Sequence, residues 1–137
     1  MRSASTLLPG PLLRRRRAVA GGRGLNTRRV GERFESRATL HYRLRGYRVL
    51  GANVWAGGHE LDLIVRRGRR LVFCEVKGKA TTAYGHPLEM VTPEKRRRVR
   101  LAAETWLARH PECRTLDCRF EVVAIEGRRL ERVSVEL

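Results

Sequence analysis

Gly57-Gly58 and the region around Gly68 cut the middle of this chain into three short apolar-rich segments. These segments, Tyr47–Val54, Glu60–Arg66 and Arg70–Lys77, are of strand length and are separated only by turn-length gaps. They are predicted to be three strands separated by turns. Helical patterns flank them. Val30, Phe34, Ala38 and Tyr42 recur every fourth residue, with Leu40 and Leu44 broadening the stripe, which predicts a helix over Arg28–Arg45 ending at Gly46. Thr92 as N-cap and Pro93 at the first helical position predict a second helix running to about Arg109, where His110-Pro111 ends it. Arg119–Glu126 and Arg129–Glu136 read as two further strands around Gly127. The predicted order is α-β-β-β-α-β-β, an α/β domain over residues 28–137. Gly78–Val91, with Gly85 and Pro87, reads as irregular.

Charge narrows the partners. The 137 residues carry 30 Lys+Arg against 14 Asp+Glu, a formal net charge of +16. Residues 1–30 hold eight Arg and no acid, so half of the excess lies there and half on the remainder. A field of this sign attracts polyanions, and phosphate neutralisation releases counterions, so nucleic acid is the expected partner. Residues 1–27 are rich in Arg, Gly, Pro and Ser and are read as a disordered basic leader. A phosphate-binding arm and an organellar transit peptide are the functional alternatives for it. No stretch is apolar enough for a membrane span, and three cysteines (Cys74, Cys113, Cys118) without zinc-ligand spacing point to a reducing, cytoplasmic setting.

The chemistry-bearing stretch is His59-Glu60-Leu61-Asp62, followed after twelve residues by Glu75-Val76-Lys77. In a strand, Glu75 and Lys77 project to the same side, together with Leu71 and Phe73. A two-residue turn at Gly68-Arg69 places Asp62 directly opposite Glu75. A turn at Arg67-Gly68 makes the pair diagonal, and a three-residue loop sends Asp62 to the other face. In the favourable registers, two carboxylates and an ammonium converge. Mutual repulsion between the carboxylates is relieved by a hard divalent cation such as Mg²⁺ or Mn²⁺, which binds phosphate oxygens in turn. The plain alternative is that Glu-x-Lys is an ordinary charge alternation on a solvated strand face.

These residues resemble the PD-(D/E)xK nuclease superfamily. More closely, the chain resembles the YraN-like bacterial proteins, endonuclease-like relatives of Holliday-junction resolvases. The likeness runs through Arg29-Val30-Gly31-Glu32, Gly46-Tyr47-Arg48-Val49-Leu50, Asn53, Glu60-Leu61-Asp62-Leu63-Ile64 and Val72-Phe73-Cys74-Glu75-Val76-Lys77. It continues in Tyr84-Gly85 and Val91-Thr92-Pro93-Glu94-Lys95 with the run Arg96-Arg97-Arg98. The resemblance implies a restriction-endonuclease-like α-β-β-β-α-β core with a mixed sheet between helices. It implies Asp62 and Glu75 as metal ligands, Lys77 as the catalytic lysine, Glu32 as a further acid from the first helix, and a possible homodimer acting on DNA. Two departures stand out. His59 replaces the usual Gly, and Lys79 stands where an Arg is usual, keeping charge without the bidentate fork.

The remaining candidates have plainer readings. Lys79, Lys95, Arg96, Arg97 and Arg98 are expected to contact phosphates. Glu60 supports the site or is an exposed hairpin acid. His59, His86 and His110 are expected in turns, His41 at the core edge. Trp106 packs, and Trp55 either packs or stacks on an unpaired base. The functional expectation is a metal-dependent endonuclease for branched or single-stranded DNA. The alternatives are a non-catalytic nucleic-acid-binding module on the same scaffold and a basic adaptor.

Overall fold

The strands form one five-stranded sheet in which they neighbour one another in chain order. The computed structural model describes residues 22–78, 89 and 91–137. The strands are β1 (Arg48–Ala56), β2 (His59–Arg67), β3 (Arg70–Gly78), β4 (Asp117–Glu126) and β5 (Arg129–Val135). The helices are α1 (Gly22–Leu44) and α2 (Pro93–Ala108), with a 3₁₀ turn at Pro111–Cys113. β3 and β4 are parallel, joined through α2, while every other neighbouring pair is antiparallel. The mixed α/β architecture expected from the sequence is the one formed, and residues 34–137 make one compact unit.

Side chains alternate across the strands into two cores. Ile64, Leu71, Phe73, Phe120 and Val122 pack under Val99, Ala102, Ala103 and Trp106 of α2. Leu63, Val65, Val72, Cys74, Val123 and Ile125 pack with Ala38 and Tyr42 of α1 and with Tyr47. Such strands are covered on both faces, which explains their near-continuous apolar runs. Burial also pushes the Cys74 thiol far up, so it is an inert core residue.

Three local differences from the sequence reading have physical causes. α1 begins at Gly22, six residues before Arg28, so part of the expected leader is helical. Glycine weakens a helix by about 1 kcal/mol relative to alanine, but elongation from an established helix avoids the nucleation cost. Leu40 and Leu44 are exposed instead of widening the apolar stripe. They stand on the side of α1 away from buried Tyr42, because residues two apart on a helix do not share a face. His59 opens β2, paired with Ala56, instead of sitting in the turn. The rest of the leader, and Lys79, Tyr84, Gly85 and His86, lie outside the described residues.

α1 closes as a Schellman motif. Gly46 N–H donates to the Arg43 carbonyl at 3.0 Å and Tyr47 N–H to the Tyr42 carbonyl at 3.1 Å. The Tyr42 and Tyr47 rings meet edge to face at 5.1 Å, supplying the apolar contact of the motif. Gly46 sits at φ +88°, where a Cβ crowds the following carbonyl. Gly46→Ala is therefore expected to cost about 1–2 kcal/mol, read as a lower urea midpoint with an unchanged m-value. A midpoint equal to that of the parent chain would contradict the cap assignment.

Candidate active site

The register of the β2–β3 hairpin decides whether the acids meet. Gly68, at φ +60°, takes the first of two turn positions, and Arg67 pairs with Arg70. Pairing continues through Val65↔Val72 to Leu63↔Cys74. One step further, Asp62 lies opposite Glu75. Backbone pairing stops there, and the Asp62 carboxylate takes over: its Oδ2 accepts the Val76 N–H at 2.8 Å. The two acids thus stand at the end of the hairpin where β2 and β3 part.

Glu75 is only 8% exposed, and both contacts that hold it fall on the same oxygen. Lys77 Nζ lies 3.2 Å from Glu75 Oε2, and Lys95 Nζ donates to it at 2.9 Å. Lys95 reaches the site because Thr92 caps α2. The Thr92 side chain accepts the Lys95 N–H at 3.1 Å, fixing the first turn with its side chain directed at the sheet. The positive end of the α2 dipole also favours an anion there.

Asp62 is half-buried, and its carboxyl is raised from 3.8 to about 6. Burial is the main cause. The Val76 N–H works against it, while the negative charges of Glu75, Glu35 and Glu60 add to it. His59 lies beside the same group. Its pKa is lowered by burial and then by Lys95, with Glu75 opposing, and its Nε2 is buried without a hydrogen-bond partner among the described residues.

α1 contributes Glu35. Its Oε1 accepts from the Asn53 side chain at 3.2 Å, and its charge is felt at Asp62. Asn53 adopts φ 52°, a left-handed conformation that asparagine tolerates well, and lies in β1 across from Asp62 between the pairs Ala52↔Leu63 and Val54↔Leu61. Glu32, the helix acid expected from the resemblance, is an exposed residue one turn earlier. Gly78 seats α1 near the site, since a Cβ there would fall within the Phe34 ring.

The sequence reading missed Glu35 and the inward role of Lys95. Glu35 precedes buried Ala38 by three residues and buried Tyr42 by seven, a spacing that puts it on their face and was available as a signal. Lys95, expected to contact phosphate, also donates its ammonium to Glu75. The rest of that basic run diverges around the helix. Arg96 bonds the Glu136 carbonyl, Arg98 pairs with Glu94 at 2.7 Å, and Arg97 is exposed.

As a cation site, the group offers two hard carboxylates. Among the described residues, no cluster of three or more His, Cys, Asp or Glu side chains could hold a metal. Two carboxylates with water completing the shell is a common arrangement for Mg²⁺. The raised Asp62 pKa reflects buried negative charge that such an ion would compensate. The donor set fits.

The elevated pKa also makes a stability prediction. The unfolded chain releases the Asp62 proton near pH 3.8 and the folded chain near 6. A penalty on folding therefore builds between those values and is full above pH 6. Asp62→Asn keeps an acceptor for Val76 N–H and removes the penalty. In metal-free buffer at pH 7 it is expected to stabilise the protein by about 1–3 kcal/mol, a gain that disappears below about pH 4. Denaturant melts at pH 7.5 and pH 3.5 check it, and destabilisation at pH 7.5 would refute it.

These features define a small α/β domain with paired carboxylates and two lysines at one end of a mixed sheet. The model of Uncharacterised protein family UPF0102 matches residues 34–125, and the chain belongs to that family. UPF0102 protein YraN of Escherichia coli O1:K1 / APEC is 40% identical over 113 residues, covering 82% of this chain and 86% of its own. The protein of that name from Shigella sonnei (strain Ss046) has the same identity and coverage. The one from Escherichia coli (strain K12 / DH10B) is 39% identical over 113 residues. The family match contains Glu35, Asp62, Glu75, Lys77 and Lys95 and begins after Glu32. Among the described residues, no helix is long and apolar enough to cross a membrane.

Proposed function

We propose that this chain is a metal-dependent endonuclease that hydrolyses phosphodiester bonds in DNA, with branched or single-stranded forms as its substrates. The observation that carries the reading is the meeting of Asp62, Glu75 and Lys77 at the open end of one hairpin in a chain of net charge +16. Asp62 and Glu75 would hold Mg²⁺ or Mn²⁺. Such an ion, when bound, supplies Lewis-acid polarisation of a phosphate oxygen and counter-charge. Lys77, ion-paired to Glu75 yet partly exposed, orients the attacking water and offsets charge developing on the phosphate. Lys95 holds Glu75 in place from the far side. Exposed Arg97 and Arg98 bind backbone phosphates, and Trp55, 69% exposed, offers a ring on which an unpaired base stacks.

One observation favours a second reading, a nucleic-acid-binding module without turnover: Glu75 is already neutralised internally by two ammonium groups. A single experiment separates the two. Purified protein is incubated with duplex, flapped, four-way and single-stranded DNA in Mg²⁺ or Mn²⁺, and Mn²⁺ binding is titrated calorimetrically in parallel. Cleavage that needs the metal supports the nuclease. Salt-dependent DNA binding with neither cleavage nor Mn²⁺ heat overturns it and leaves the binding module.

A further inference from the structure

A second basic site lies on the other side of the sheet. His41 and Arg45 of α1, Arg70 of β3, Arg119 and Glu121 of β4 and Arg132 of β5 surround a cavity of about 460 Å³. It is apart from the carboxylates. Arg70 begins β3 and Glu75 lies five residues on, roughly 17 Å along the strand. Glu75 turns to α2, whereas the cavity opens beside α1.

Four guanidinium groups around one void repel each other, and the lining offers one carboxylate against them. That carboxylate is already committed. Glu121 accepts from Tyr42 Oη at 2.6 Å and from Arg132 Nε at 3.0 Å. Arg119 has a loose contact with exposed Asp117 at 3.5 Å. His41 lines the cavity from α1. Burial, then the nearby charges of Arg45 and Arg132, lower its pKa, as a cluster of positive charge does to a neighbouring imidazole. Planar guanidinium forks match the oxygens of a phosphate bidentately, and several together make a phosphate site more readily than a site for a lone carboxylate. The volume exceeds that of a single phosphate and falls in the range of small-molecule sites.

We propose that this cavity binds a phosphate or diphosphate group, carried by a nucleotide or by the end of a nucleic-acid strand. The site does not depend on the nuclease reading, because it uses none of Asp62, Glu75, Lys77 or Lys95.

The test is calorimetry on the full chain with inorganic pyrophosphate as probe. Arg45→Gln and Arg119→Gln change cavity residues outside the buried core and preserve the fold, as a melt of each variant verifies. Wild-type protein is expected to bind pyrophosphate below about 1 mM, and each variant to weaken binding by about tenfold. A control pair of exposed residues, Arg100→Gln on α2 with Arg109→Gln just after it, should change it less than about twofold, since exposed charges beyond a Debye length are screened. Two further arms identify the carrier. A 5′-phosphorylated oligonucleotide that outbinds its 5′-hydroxyl twin, with the preference lost in Arg119→Gln, assigns a strand end. Tighter binding of ADP than of pyrophosphate, with the twins equal, assigns a nucleotide. No pyrophosphate binding by the wild type, or equal weakening by the cavity and control variants, overturns the proposal.

Discussion

Lys77→Met is expected to lower metal-dependent DNA cleavage by about 10²–10⁴-fold, the range for a positioned proton-transfer or charge-stabilising group. Substrate affinity should barely change, because one cation among many contributes about one unit of the salt slope. Glu75→Gln should remove cleavage and calorimetric Mn²⁺ binding together. It should not weaken DNA binding: Lys77 and Lys95 lose their counter-charge, and two ammonium groups become available to phosphate. Glutamine is the better substitution here. Alanine would leave two lysines facing a cavity, so loss of activity could follow from local collapse. Lys95→Met separates holding from chemistry. If Lys95 only positions Glu75, the variant keeps Mn²⁺ binding and loses less activity than Lys77→Met. Turnover surviving unchanged in both Lys77→Met and Glu75→Gln would remove the nuclease assignment.

What the sequence made legible was mostly local. The hairpin turn, the capping of α2 by Thr92 and the strand segments follow from residue types within a few positions, and they formed close to the expected boundaries. The placement of Asp62 opposite Glu75 was conditional on a two-residue turn at Gly68-Arg69, and that turn is present. Long-range pairings were not legible. Lys95 lies twenty residues beyond Glu75, and nothing in a basic run indicates that its first member turns inward while the others face out. Glu35 and Glu32 are both acids on one helix, and choosing between them requires the phase of α1 against the sheet. Leu40 and Leu44 were misread for the same reason, since an apolar residue carries no label for the face it occupies. Glu121 was invisible altogether. In Phe120-Glu121-Val122 it reads as the outward residue of a half-buried strand, but α1 covers that face.

Glu121 supports the second large prediction. It is 4% exposed and is flanked by Phe120 and Val122, both in the core. Tyr42, fully buried, donates its hydroxyl to Oε1 at 2.6 Å, while Arg132 donates Nε to Oε1 at 3.0 Å. The Arg132 guanidinium lies over the Tyr42 ring at 4.9 Å from its centre, so the three groups form one unit. Truncation to alanine leaves a buried hydroxyl without its acceptor and a half-buried cation without its counter-charge. Breaking a buried pair from one side costs about 3–5 kcal/mol. For a domain of this size that lowers Tm by roughly 10–20 °C. Glu121→Gln retains an acceptor for Tyr42 and should lose less. The triple change Glu121→Leu, Arg132→Met and Tyr42→Phe removes every partner at once and leaves no orphaned polar group. It should melt above Glu121→Ala, because apolar replacement of a buried ion pair is often neutral. If Glu121→Ala melts within about 3 °C of wild type, a shift worth under roughly 1 kcal/mol, the carboxylate is not holding α1 to the sheet. If the triple variant melts below the single one, packing volume rather than orphaned polarity sets the cost.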